Sequence, residues 1–128
     1  MIDKNVKIYT GNQLGRGVIV VIEHDLYVKG WDLLGSLISC LENRDYYTRP
    51  RIALYWNNDD CVAMAFAYDS SIMAYCLPDH RRKGYAKKCV KALKVSKKTL
   101  ASYGNKGSEK FWKKCGIDMD DGLYGDDE

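Results

Sequence analysis

Leu77-Pro78-Asp79-His80-Arg81-Arg82-Lys83-Gly84-Tyr85-Ala86 is where the chain changes its hydrophobic period. Before it, Ile72-Met73-Ala74-Tyr75-Cys76-Leu77 is an apolar run of strand length, closed by a proline that cannot donate to a ladder. After it, Ala86, Cys89, Val90 and Leu93 recur at helical spacing, with Lys87, Lys88, Lys91 and Lys94 elsewhere around the same helix. A strand, a short basic loop and a glycine opening a helix form a strand–turn–helix junction. The first helical turn presents backbone N–H groups without internal partners, and the positive end of the helix dipole lies there too. With Arg81, Arg82 and Lys83 beside it, the junction predicts an anion cradle of pyrophosphate type. A strand–loop–helix turn with a basic cluster is also a common solvated feature, so this physics alone leaves both readings open.

Upstream, Arg51-Ile-Ala-Leu-Tyr-Trp56 leads into the polar Asn57-Asn-Asp-Asp60, and Cys61-Val-Ala-Met-Ala-Phe-Ala-Tyr68 follows before Asp69-Ser70-Ser71. With residues 72–77 these are three strand-length runs with short polar breaks, which predicts an antiparallel meander. Val6-Lys7-Ile8-Tyr9 predicts a short first strand, and Leu34, Leu37, Ile38 and Leu41 predict a helix over residues 31–41. Residues 18–26 fit either state. The run Val18-Ile19-Val20-Val21-Ile22 favours a strand, whereas Val18, Val21, Ile22 and Leu26 share a helical face. Gly11, Gly15 and Gly17 read as a loop; the stretch lacks the Gly-Lys-Ser/Thr ending of a phosphate loop. Residues 99–103 predict a strand and residues 108–115 a last helix, stopped by Gly116. The sum is an α+β fold: a mixed, mostly antiparallel central sheet flanked by helices on both faces. Its 128 residues suit one domain, here residues 1–117, with residues 118–128 as an acidic tail.

Composition narrows the partners. No apolar stretch approaches the roughly 18–20 residues that span a bilayer, and the first residues lack the apolar core of a secretory signal. The expectation is a cytoplasmic protein with no membrane partner. Five scattered cysteines and two histidines form no ligand spacing, so no metal is expected and the thiols read as reduced. Net charge is +3, but residues 118–128 hold six acids and no Lys or Arg, which leaves the body at +9. A basic body suits a polyanion, either nucleic acid or a phosphate-rich cofactor.

The stretch from Cys76 to Ala86 resembles the coenzyme A signature of the GNAT superfamily of N-acetyltransferases, Arg/Gln-x-x-Gly-x-Gly/Ala, met by Arg81, Gly84 and Ala86. A second element resembles the family's Asn-x-x-Ala/Ser-x-x-x-Tyr before a Gly-Phe pair on the last helix. Asn105, Ser108, Trp112 and Gly116-Ile117 fall at those spacings. The resemblance covers residues 51–117 closely and the first 50 loosely. It implies a GNAT-like fold and acetyl-coenzyme A as cofactor. Amides around Arg82, Lys83, Gly84, Tyr85, Ala86 and Lys87 would hold the pyrophosphate, with charge from Arg81, Arg82 and Lys83. The strand edge at Ala74, Tyr75 and Cys76 would pair with the pantetheine amides. Asn105 and Ser108 would hydrogen-bond that arm, and Trp112 would pack beside it.

The pattern also departs from the family. Trp112 stands where many members have a tyrosine acid, and Ser70 where histone-type members have a glutamate base. Asp69 and Tyr103 are the nearest candidates for catalytic roles, with Glu23 and His24 as remoter ones. Three function classes follow. The first is an N-acetyltransferase acting on an amine, a protein lysine or N-terminus or a small molecule. The second is a catalytically weak or inactive binding or inhibitor protein on the same fold, of the kind a virus uses as an accessory. The third, ranked below both, is a nucleic-acid-binding module. The first two helices and last strands shape the acceptor cleft in this family, and the short acidic tail leaves room for a closing strand from a partner, hence a homodimer.

Overall fold

The computed structural model describes residues 4–27, 34–43, 49–96, 98–101 and 109–119. Among these residues, six strands form one sheet in sequence order: β1 (Val6–Thr10), β2 (Arg51–Asn57), β3 (Asp60–Tyr68), β4 (Ser71–Cys76), β5 (Leu100–Ala101) and β6 (Asp118–Met119). The first four pair antiparallel, and β5 and β6 then join in parallel. The predicted meander is therefore present and the α+β class holds. Both hairpins close over two residues, Asn58-Asp59 and Asp69-Ser70. The leading residue of each has positive φ, 60° at Asn58 and 52° at Asp69, a conformation that Asn and Asp tolerate best among residues with a Cβ.

Among the described residues, four α-helices accompany the sheet: α1 (Arg16–Val21), α2 (Leu34–Glu42), α3 (Tyr85–Ala92) and α4 (Glu109–Cys115). Residues 18–26 are helical, α1 running directly into π-helical turns over Ile22–Tyr27. The β-branched run gives way because the helix buries Val18, Ile22 and Leu26 together while Val20 is left 49% exposed; tertiary burial outweighs strand propensity. The glycine-rich stretch differs from the expected loop. Gly11–Gln13 make a 3-10 turn, Gly15 precedes α1 and Gly17 lies inside it. None of the described helices is long and apolar enough to cross a membrane.

The two faces of the sheet carry different side chains. The Tyr55 ring stacks on Tyr85 of α3 with centroids 4.2 Å apart, which puts α3 on the Tyr55 face. Register carries that face from Tyr55 to Ala63 and Cys76, and from Ala53 to Ala65 and Ala74. Mostly small residues thus lie beneath α3, whose own Ala86, Cys89 and Val90 are buried. The opposite face carries Ile52, Leu54, Met64, Phe66 and Met73, all essentially inaccessible to solvent. Leu14, Ile22, Leu26, Leu37 and Leu41, from α1, α2 and the segments around them, are completely buried too. Continuous burial of Ile52 to Tyr55 and of Cys61 to Ala67 means that both faces are covered at the sheet centre.

Candidate functional site: the junction of β4 and α3

The ladder between β3 and β4 ends with Leu77 N–H donating to the Val62 carbonyl at 2.9 Å. Pro78 then starts a 3-10 turn, Pro78–His80, where a missing N–H costs nothing. Arg82 (φ 67°) and Gly84 (φ 80°) both take left-handed backbone and reverse the chain into α3. The first helical bond is Lys88 N–H to the Gly84 carbonyl, 3.0 Å. The amides of Tyr85, Ala86 and Lys87 therefore precede the intrahelical donors, and no side chain caps them. Arg81, Arg82, Lys83 and Gly84 are exposed around these amides. Gly84 is required by its backbone angle; a Cβ there would meet nothing within 4 Å. His80 leans toward Tyr85, ring centroids 6.4 Å apart, and its Nδ1 is buried with no hydrogen-bond partner among the described residues.

The edge of β4 continues from this cradle. Because Leu77 bonds Val62 and antiparallel pairs alternate, Tyr75 directs its backbone groups toward β3 while Ala74 and Cys76 direct theirs away from it. The described part of β5 pairs with β4 only at Ser71 and Ile72. Arg81 straddles the outward edge. Its Nε donates to the Cys76 carbonyl at 2.9 Å, and its guanidinium sits over the Tyr75 ring, 5.5 Å from the centroid. Tyr75 thus contributes a ring to the site, and the outward main chain belongs to Ala74 and Cys76. Burial pushes the Cys76 thiol up to about 11, opposed by the fields of Arg81 and Lys83.

The remaining candidates are spread more widely. Asp69 is exposed in the β3–β4 turn, at the opposite end of β4 from the cradle, and β4 from Ser71 to Cys76 spans about 17 Å at strand rise. Tyr103, Asn105 and Ser108 lie outside the described residues. Trp112 is 3% exposed and meets Phe111 edge to face at 4.9 Å. Its carbonyl accepts from Ile117 N–H, and Lys113 accepts from Gly116 N–H, with Gly116 at φ 75°. That pair of bonds is a Schellman ending for α4. His24 is exposed and contacts Asp25, Nδ1 to Oδ1 at 2.6 Å. Asp25 is buried, and its Oδ2 accepts from Cys61 N–H at 2.7 Å. The sequence reading missed Asp25; its one signal was an acid beside Leu26 within an apolar helical stripe. A separate shallow groove, lined by Tyr9, Gln13, Gly17, Val18 and Val21, lies beside β1 and α1, apart from the cradle.

A scan of the chain against models of known protein families finds no match, and a search of curated proteins finds none either.

Proposed function

We propose that the chain binds acetyl-coenzyme A at the β4–α3 junction and transfers the acetyl group to an amine, as an N-acetyltransferase of GNAT type. The observation that carries this reading is one continuous surface: uncapped amides of α3 behind three exposed cations, followed by the outward main-chain groups of Ala74 and Cys76. The amides of Tyr85, Ala86 and Lys87 would hold pyrophosphate oxygens. The edge of β4 would align the pantetheine arm as an added strand, once Arg81 releases the Cys76 carbonyl. A bound thioester supplies the activated acetyl group. Outward N–H groups of β4 would polarise its carbonyl, a service that needs no special side chain. Asp69, in the turn that precedes β4, is the proposed acceptor-side base. Tyr103 is the proposed acid that protonates the leaving thiolate; solvent takes the ammonium proton on from Asp69 and returns one to Tyr103.

A second reading is a non-catalytic coenzyme A-binding protein with the same architecture. It is favoured by Trp112, whose buried indole is no acid for a thiolate.

Calorimetric titration with acetyl-coenzyme A tests the shared part. Wild type is expected to bind, and a variant combining Arg82→Glu with Lys83→Glu is expected to weaken binding at least tenfold with an unchanged circular dichroism spectrum. Absence of binding at high micromolar cofactor, or equal binding by the variant, rejects both readings. Mass spectrometry of lysate incubated with labelled acetyl-coenzyme A separates them, since acetyl transfer that Gly84→Glu abolishes excludes the purely binding protein.

A further inference from the structure

Ten of the twenty Lys and Arg residues lie in two segments whose helices meet in the fold. Residues 81–94 contain seven Lys or Arg and no acid, and residues 109–115 contain three Lys and one Glu, a net of +9. That equals the whole excess of residues 1–117, so the rest of the body is neutral in sum. α3 and α4 pack against each other. As successive crossovers from β4 to β5 and from β5 to β6, both lie on the same face of the sheet and run side by side. Their buried residues are Ala86, Cys89, Val90, Ala92 and Trp112, and their solvent sides carry Lys91, Lys113 and Lys114, all exposed. The fields of Lys87 and Lys91 reach Cys115, so these two lysines of α3 lie near the end of α4.

We propose that this α3–α4 face binds the sugar–phosphate backbone of a nucleic-acid duplex, without reading its sequence. Packed helices lie about 8–10 Å apart, which sets two rows of cations at a separation comparable with the roughly 12 Å major groove. Each row then meets phosphates of a different strand. A single strand is a poorer fit, because its binding relies on exposed aromatic platforms. Here Trp112 is buried, Phe111 is half-buried and Tyr85 is stacked on Tyr55. An acidic peptide is a poorer fit as well, because specific peptide sites are built on apolar anchors. The exposed large hydrophobics among the described residues are Val20 and Leu100, and neither belongs to α3 or α4.

Fluorescence anisotropy with a labelled 24-base-pair DNA duplex tests this. With four to six phosphates neutralised, affinity is expected to fall roughly 10²–10³-fold between 50 and 200 mM salt. The triple change Lys91→Glu, Lys113→Glu, Lys114→Glu should weaken binding at least tenfold at 100 mM salt and flatten the salt slope. The milder Lys→Gln triple should do so in part, which keeps the test valid if the charge-reversed protein does not fold. Lys7→Glu with Arg16→Glu, outside this face, should bind like wild type. Salt-insensitive or absent binding, a Gln triple equal to wild type, or a control pair as damaging as the triple would each overturn the proposal. So would equal affinity for labelled poly-glutamate or for a single strand of the same length. Lys91, Lys113 and Lys114 lie outside residues 81–87, so acetyl-coenzyme A titration of the Gln triple reports on the cofactor site separately.

Discussion

Asp25 ties the helical segment before residue 27 to the sheet. Its Oδ2 accepts from the Cys61 amide and its Oδ1 lies against His24, so neither carboxylate oxygen is buried without a partner. Asp25→Ala would leave the Cys61 N–H, at the start of β3, without its acceptor, at a cost of about 1–3 kcal/mol. Asp25→Asn keeps an acceptor oxygen and should cost less than half as much; urea midpoints of the two variants check the order. The same residue explains why residues 18–26 were ambiguous in the sequence. Val18, Ile22 and Leu26 fit a helix face and the surrounding run fits a strand. The deciding partner, Cys61, is 36 positions away, and no local pattern reports it. The cradle is the reverse case. Pro78, Gly84 and the cations lie within a few residues of one another, so the chemistry that shapes the turn was readable in order.

Among the elements, α3 owes its closeness to the sheet to the alanines beneath it. In Cys61-Val62-Ala63-Met64-Ala65-Phe66-Ala67-Tyr68 the small and large residues alternate, so one face of β3 is nearly flat while the other is deeply filled. Ala63→Leu or Ala65→Leu should overpack the α3 side and destabilise by roughly 1–3 kcal/mol. Met64→Leu, close to volume-conserving on the far face, should cost under about 1.5 kcal/mol. Chemical denaturation of the three variants side by side measures this contrast. If it is absent, the face assignment is wrong. The meander, α3 and α4 were legible because each spans enough residues to show its period. A strand over residues 99–103 was legible too, and β5 is described at Leu100–Ala101; the parallel sense of the joins at β5 and β6 depends on crossovers whose geometry sequence spacing does not encode.

For the molecule as a whole, alkaline pH should be the weakness. Burial pushes the Cys61 thiol from an ordinary 9.0 up to about 12, helped by the Asp25 charge, against two backbone contacts that lower it. A thiol held neutral by the fold contributes stability that is complete below pH 9 and lost as pH rises toward 12, because the unfolded chain ionises first. Near pH 10.5 the loss from Cys61 is about 2 kcal/mol, and Cys76 acts in the same direction. Urea unfolding of wild type and Cys61→Ala at pH 8 and 10.5 isolates it: the pH-dependent drop should shrink by about that amount in the variant.

The separation of charge between the α3–α4 face and the rest of the body has a consequence for motion. A particle with its excess cations on one side behaves as an oriented dipole, and the field of an anionic surface exerts a torque on it before contact. The orientational search that slows most associations to about 10⁵–10⁷ M⁻¹s⁻¹ is then partly completed during approach. In 150 mM salt this guidance acts only over the last 8 Å or so. On the proposed reading, the protein would meet a polyanion with the lysines of α3 and α4 already facing it.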